Sequence, residues 1–234
     1  APQAAAPAKG LRVVFMGDSI TDGNWGKADG KPSSERNLWD RNHLYGSGYM
    51  YLCATYYQSS FPDRDYRFFN RGVGGHALSD LAARWQEDVL DLRPDVLSVF
   101  IGTNDVERHL RKLLRDFFFA AWERAYRSLL DKAREANPAL EIVLCTPFAA
   151  PCGKIVEGAL GAYYPLRQRM LAQCCEVVER IAADYGATLV PFHRLIAGLE
   201  SRLPNGDATY WVWDGIHPTP AGQRRMADCW IGTV

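Results

Sequence analysis

At 234 residues the chain is long enough for one large domain, which would bury roughly 70–75% of its unfolded surface and need neither metal nor disulfides for stability. Lys plus Arg equals Asp plus Glu at 27 each, a balance that argues against a general nucleic-acid or membrane-surface binder. No apolar run approaches the roughly 20 residues of a spanning helix, so no membrane span is expected.

The first ten residues, Ala1 to Gly10, read as a small-residue tether ahead of a single domain over 11–234. Such a start is either artificial or the mature end of an exported protein after signal removal. We expect the second, and with it a secreted or periplasmic protein. Cys53, Cys145, Cys152, Cys174, Cys175 and Cys229 have no C-x-x-C spacing and no paired His ligands, which argues against a zinc site. Most read as small buried hydrophobes, with a disulfide through Cys152 left open.

Short apolar strands alternate with helical stretches along the chain. Strands are expected at Leu11–Met16, Tyr66–Asn70, Asp95–Ile101, Glu141–Thr146 and Ala187–Val190. Helical character covers Tyr49–Ser59, Ala77–Leu90, Leu114–Ala136 and Tyr164–Tyr185. A last helix follows Pro220 at its first position, with Thr219 as N-cap. This alternation predicts an α/β protein, a parallel sheet of about five strands with helices on both faces. In such sheets the ligand sits beyond the carboxyl ends of the strands.

Two irregular stretches border those ends. The longer, roughly Asp22 to Ser47, holds Trp25, Trp39 and His43; it either lines a site or folds back on itself around its tryptophans. The other runs from Pro151 to Tyr163. The apolar stretch Phe117–Trp122 reads as core packing or a subunit interface, with a lipid-facing patch as the alternative.

Four motifs carry chemistry, three of them directly after successive strands: Gly17-Asp18-Ser19-Ile20-Thr21, Asn70-Arg71-Gly72-Val73-Gly74-Gly75, Gly102-Thr103-Asn104-Asp105, and Asp214-Gly215-Ile216-His217-Pro218. A serine hydroxyl needs a neighbouring base to become a nucleophile, and His217 is the candidate for Ser19. Asp214, three residues earlier, can reach the other imidazole nitrogen and fix its tautomer. Pro218 restricts His217 to extended backbone. Three donors can hold an oxyanion: the backbone N–H of Ser19, that of Gly75, and the side-chain amide of Asn104. Taken singly, each motif has a blander use. Asp-x-x-His can be a loop pair, the glycines a turn, and Asn104 a helix cap. Asp18 and Asp105 read mainly as acceptors for loop amides, although Asp18 also lies where a substrate would sit.

With these residues in place, the chain resembles the SGNH (GDSL) hydrolases over nearly its whole length. Ser19, Gly75, Asn104 and the Asp214–His217 pair match the four family blocks; Ile20 stands for the Leu of the motif name, and Gly74 for a frequent Ser. The resemblance implies a three-layer flavodoxin-like fold and ester hydrolysis through an acyl-serine, without metal or other cofactor. Asn70-Arg71-Gly72, Ala83–Val89, Gly102–Val106 and Trp213–Pro218 are similar to bacterial acetylxylan and related carbohydrate acetylesterases. That similarity implies an acetylated carbohydrate as substrate and allows self-association. Trp25, Trp39, Trp211 and Trp213 are the aromatics that could stack on sugar rings. The rival readings are a lysophospholipase or thioesterase with the same machinery, and a carbohydrate-binding module on an inactive scaffold. A G-x-S-x-G elbow, H-E-x-x-H and a P-loop are all absent from the sequence.

Overall fold

Five parallel strands stand side by side in the order β2-β1-β3-β4-β5 in a computed structural model that describes residues 10–24, 44–112, 119–202 and 206–234. They are β1 (Arg12–Gly17), β2 (Arg67–Gly72), β3 (Val96–Phe100), β4 (Glu141–Cys145) and β5 (Thr188–Val190). This is the flavodoxin-like order, in which the chain reverses direction across the sheet between β1 and β3. All five expected strands form. β1 and β2 run on to Gly17 and Gly72, so the first glycine of each following motif belongs to the strand itself.

Period-two alternation divides the strand residues between two cores. On one face Val14, Met16, Leu97, Val99, Ile142 and Leu144 pack against α3 (Leu78–Ala83), α4 (Thr103–Arg111), α5 (Phe119–Ala136) and α7 (Tyr164–Tyr185). On the other, Val13, Phe15, Phe68, Phe100, Val143 and Val190 meet α2 (Tyr49–Ser60), α8 (Phe192–Glu200) and α9 (Pro220–Thr233). The result is helix, sheet, helix: three layers, as the alternation predicts. Two short helices, α1 (Ser19–Asp22) and α6 (Lys154–Glu157), follow β1 and β4 at the carboxyl end of the sheet.

Several local expectations are corrected. The stretch 77–90 is not one helix. It breaks at Arg84, and a separate π-helical turn spans Gln86–Leu90. Arg84 turns inward at the break and donates to the carbonyls of Arg71 at 2.7 Å and Gly17 at 3.2 Å, as well as to Asp88 at 2.6 Å. Gly102 caps α4 and Thr103–Asp105 form its first turn, because Val106 and Leu110 recur at helical spacing and are buried. The nine-residue helix α8 adds to the expected elements, burying Phe192, Ile196 and Leu199. α9 begins as expected, with Thr219 accepting from Gly222 N at 3.3 Å and Pro220 in the first turn.

All six cysteines are free thiols. Cys152 donates to Val212 O at 2.8 Å, which removes the open disulfide. Trp122 is buried and Phe119 packs against the same core, whereas Ala120 and Ala121 are exposed; Phe117 and Phe118 lie outside the described residues. Among the described residues no helix is long and apolar enough to cross a membrane.

Candidate active site

The carboxyl ends of β1, β2 and β3 deliver three of the motifs to one place. Asp18 caps α1, its Oδ1 accepting from Ile20 N at 2.9 Å, and this tight turn projects Ser19 just beyond β1. Asn70 ties the neighbouring segment down. Its amide donates to the carbonyls of Thr21, Asp22 and Tyr45 at 2.9 to 3.1 Å, while its Oδ1 accepts from Gly72 N at 2.9 Å. The fourth motif arrives from the far end of the chain in a narrow loop closed by the antiparallel bridge Val212–Pro218 and by Trp213 N donating to His217 O at 3.1 Å.

The loop is wound around the Asp214 carboxylate. Its Oδ1 accepts from Ile216 N at 3.0 Å and His217 N at 2.7 Å, and its Oδ2 lies 2.8 Å from His217 Nδ1. On the other side of the ring, His217 Nε2 is 2.7 Å from Ser19 Oγ. Asp214 is buried, whereas His217 and Ser19 are half-buried and reach solvent. Burial alone would raise the Asp214 carboxyl. The bonds from the His217 ring and amide, from Lys154 and from Ile216 N outweigh it and hold the group well below the usual carboxylate range. An ionised carboxylate, an oriented imidazole and a hydroxyl in line can deprotonate that hydroxyl and stabilise the imidazolium that results.

The turn that holds Gly75 lies beside Ser19, where a side chain on Gly74 would fall 3.9 Å from the Ser19 Cβ. Val73–His76 is a turn closed by His76 N donating to Val73 O at 3.2 Å, and Gly75 takes its third position with φ +77°. Gly74 N is already committed to Asp22 Oδ2 at 2.9 Å. A side chain built on Gly75 would meet nothing within 4 Å, so an acyl group has room to approach its N–H. Asn104 stands in the first turn of α4, not at its cap. Its amide donates to His76 O at 3.0 Å and only loosely toward Asp18 Oδ2 at 3.5 Å, which leaves one hydrogen for another acceptor.

Asp18, grouped above with substrate-facing residues, is buried under Ser19 and serves as a cap. Desolvation pushes its carboxyl up to about 7, against the bond from Ile20 N and the field of His217. Asp105 accepts from Leu78 N at 3.1 Å and Trp122 Nε1 at 3.0 Å, and burial pushes it up to about 6. Trp213 is 59% exposed, and its ring lies over that of His217 at 6.2 Å and 24°. Trp211 is partly buried against the core, and Trp25, Trp39 and His43 lie outside the described residues. Two residues escaped the sequence reading. Asp22 fixes the Gly74 amide, and Lys154 Nζ lies 2.6 Å from Asp214 Oδ2. Neither has a spacing signal, because both contacts join segments far apart in sequence.

The chain also matches known proteins. The GDSL-like lipase/acylhydrolase family matches residues 15–225. An acetylxylan esterase from Geobacillus stearothermophilus is 30% identical over 229 residues, covering 96% of this chain and 94% of that protein. Crystal structures of the acetylxylan esterase Axe2 from the same organism and of a GDSL-like lipase from Parabacteroides merdae superpose with TM-scores of 0.76 and 0.82. Their identities are 28% and 29%; each comparison covers 97% of this chain, and 94% and 97% of the other chain respectively. With its five-stranded parallel sheet and a match spanning most of its length, the chain belongs to the GDSL-like lipase/acylhydrolase family and is a carboxylic ester hydrolase.

Proposed function

We propose that this protein removes O-acetyl groups from a xylan-type poly- or oligosaccharide through an acyl-serine intermediate. The observation that carries the mechanism is the continuous chain from Asp214 to His217 to Ser19, with separations of 2.8 and 2.7 Å. His217 Nε2 takes the Ser19 hydroxyl proton as Oγ bonds to the acetyl carbonyl carbon. The carbonyl oxygen becomes an oxyanion held by Ser19 N–H, Gly75 N–H and the Asn104 amide. Collapse breaks the bond to the sugar oxygen, which leaves with the proton returned from His217. Water then gives a proton to His217 and attacks the acetyl-serine; acetate departs and the Ser19 hydroxyl is restored.

Carbohydrate as the substrate is supported by the relative's activity and by Trp213, an exposed aromatic face beside the imidazole that suits a sugar ring. The deciding measurement is kcat/KM for p-nitrophenyl acetate against p-nitrophenyl octanoate, with Ser19→Ala as the blank, followed by acetylated xylo-oligosaccharides. We expect a strong acetate preference and release of acetate from the oligosaccharides. A gain with each added methylene would instead indicate a lipid or thioester substrate.

A further inference from the structure

Lys154 is brought to the site by a dedicated piece of packing. Gly153 has φ +56°, and a side chain there would come within 2.7 Å of the Asp214 Cα; Gly215 has φ +88°, and a side chain there would meet Cys152 O at 2.5 Å. Two facing glycines therefore allow the 150–155 segment and the Asp214 loop to approach backbone to backbone. Two further ties hold them together, Ala150 N to Gly215 O and Cys152 Sγ to Val212 O, both at 2.8 Å, and Arg167 Nη1 of α7 anchors the segment by donating to Ile155 O at 3.3 Å. Arg167 is itself buried and ion-paired to Glu107 of α4. Lys154 thus rises from anchored backbone, and its ammonium meets the same Asp214 oxygen that receives His217 Nδ1. Its Nζ also lies 6.0 Å from the Trp213 ring that covers the imidazole.

We propose that Lys154 is a positioning residue of this site: its ammonium holds Asp214 Oδ2 in the bond to His217 and opposes protonation of the imidazole, so that hydrolysis persists to lower pH. The inference rests on His217 acting as the base. A solvent-exposed ion pair contributes little, but here only the lysine is exposed, at 54%, while its partner carboxylate is 2% exposed. A cation beside that carboxylate offsets part of the charge that would otherwise stabilise an imidazolium. Among the described residues, the other groups facing Asp214 and His217 are Asp18 at the end of β1, with Asp105 of α4 behind it, and the Cys152 thiol. Asp18 and Asp105 are both raised by burial and carry little charge at low pH, so the ionised Asp214 and the Lys154 ammonium are the charges that bear on the ring there.

The test is the pH profile of kcat/KM for p-nitrophenyl acetate in wild type, Lys154→Met and Lys154→Arg. Lys154→Met should raise the acid limb by about 0.5–1 pH unit, with the plateau within about fivefold of wild type. Lys154→Arg should keep the wild-type limb. An unmoved limb, or one constant factor of loss at every pH, would overturn the proposal. Esterase activity that survives in Ser19→Ala or His217→Ala would remove the underlying mechanism instead, so the two failures are distinguishable.

Discussion

Gly17 and Gly72 are register partners at the carboxyl ends of β1 and β2, and both are pressed against the turn that carries Ser19. A side chain on Gly17 would fall 2.2 Å from Thr21 Oγ1, and one on Gly72 would fall 2.3 Å from Asp22 N. Paired bare backbone lets α1 lie directly on the strand ends, which sets the height at which Ser19 meets His217. Gly72→Ala should push the turn outward at a cost of about 1–3 kcal/mol, lowering Tm by roughly 5 °C and kcat by about 10²-fold. Gly75→Ala meets no neighbouring atom but must hold φ +77°, so it should cost only about 1 kcal/mol of stability and proportionally more activity. Melting curves and turnover on the two variants check the contrast; a large stability loss in Gly75→Ala with kcat retained would contradict it.

Ser19→Ala and His217→Ala should each lower kcat by roughly 10⁶, and Asp214→Ala by about two orders less, since the imidazole still acts when poorly oriented. Turnover near wild type in purified Ser19→Ala would remove the acyl-serine.

Asn104→Ala should cost about 10²–10³ in kcat with KM little changed, because an oxyanion donor acts in the transition state. The amide also bonds His76 O. A loss confined to KM would place Asn104 in ground-state binding.

Asp18 and Asp214 give opposite pH signatures. The folded-state carboxyl of Asp214 is depressed, so its contribution is present above the unfolded value near 4 and is lost as pH falls below it. That of Asp18 is raised to about 7, so its contribution is full below about pH 4 and is lost as pH rises through 7. Asp18→Asn keeps an acceptor for Ile20 N and removes this titration. Chemical denaturation should show Asp18→Asn gaining on wild type by a few kcal/mol, to order of magnitude, between pH 4 and pH 8. A constant difference across that range would disprove the assignment.

Thiol titration without reductant should find all six cysteines in guanidinium and very few in the native protein. Five are buried, and burial raises every one of the six thiols. Fewer than six after unfolding would restore a disulfide.

The sequence by itself determined the class of fold and the chemical cast. Five apolar runs separated by helical stretches leave a parallel α/β sheet as the economical burial scheme, and strand periodicity is local enough to read directly. Ser19, Gly75, Asn104, Asp214 and His217 stood out because their motifs have fixed internal spacing. Tertiary structure alone decided what depends on distant segments meeting. Helix α8 forms because its apolar residues meet α9 and the sheet, and the stretch 77–90 breaks because Arg84 finds carbonyls on β1 and β2. Lys154 belongs to the same class. Sixty residues separate it from Asp214, and only the close approach allowed by Gly153 and Gly215 turns a surface lysine into a neighbour of the triad carboxylate.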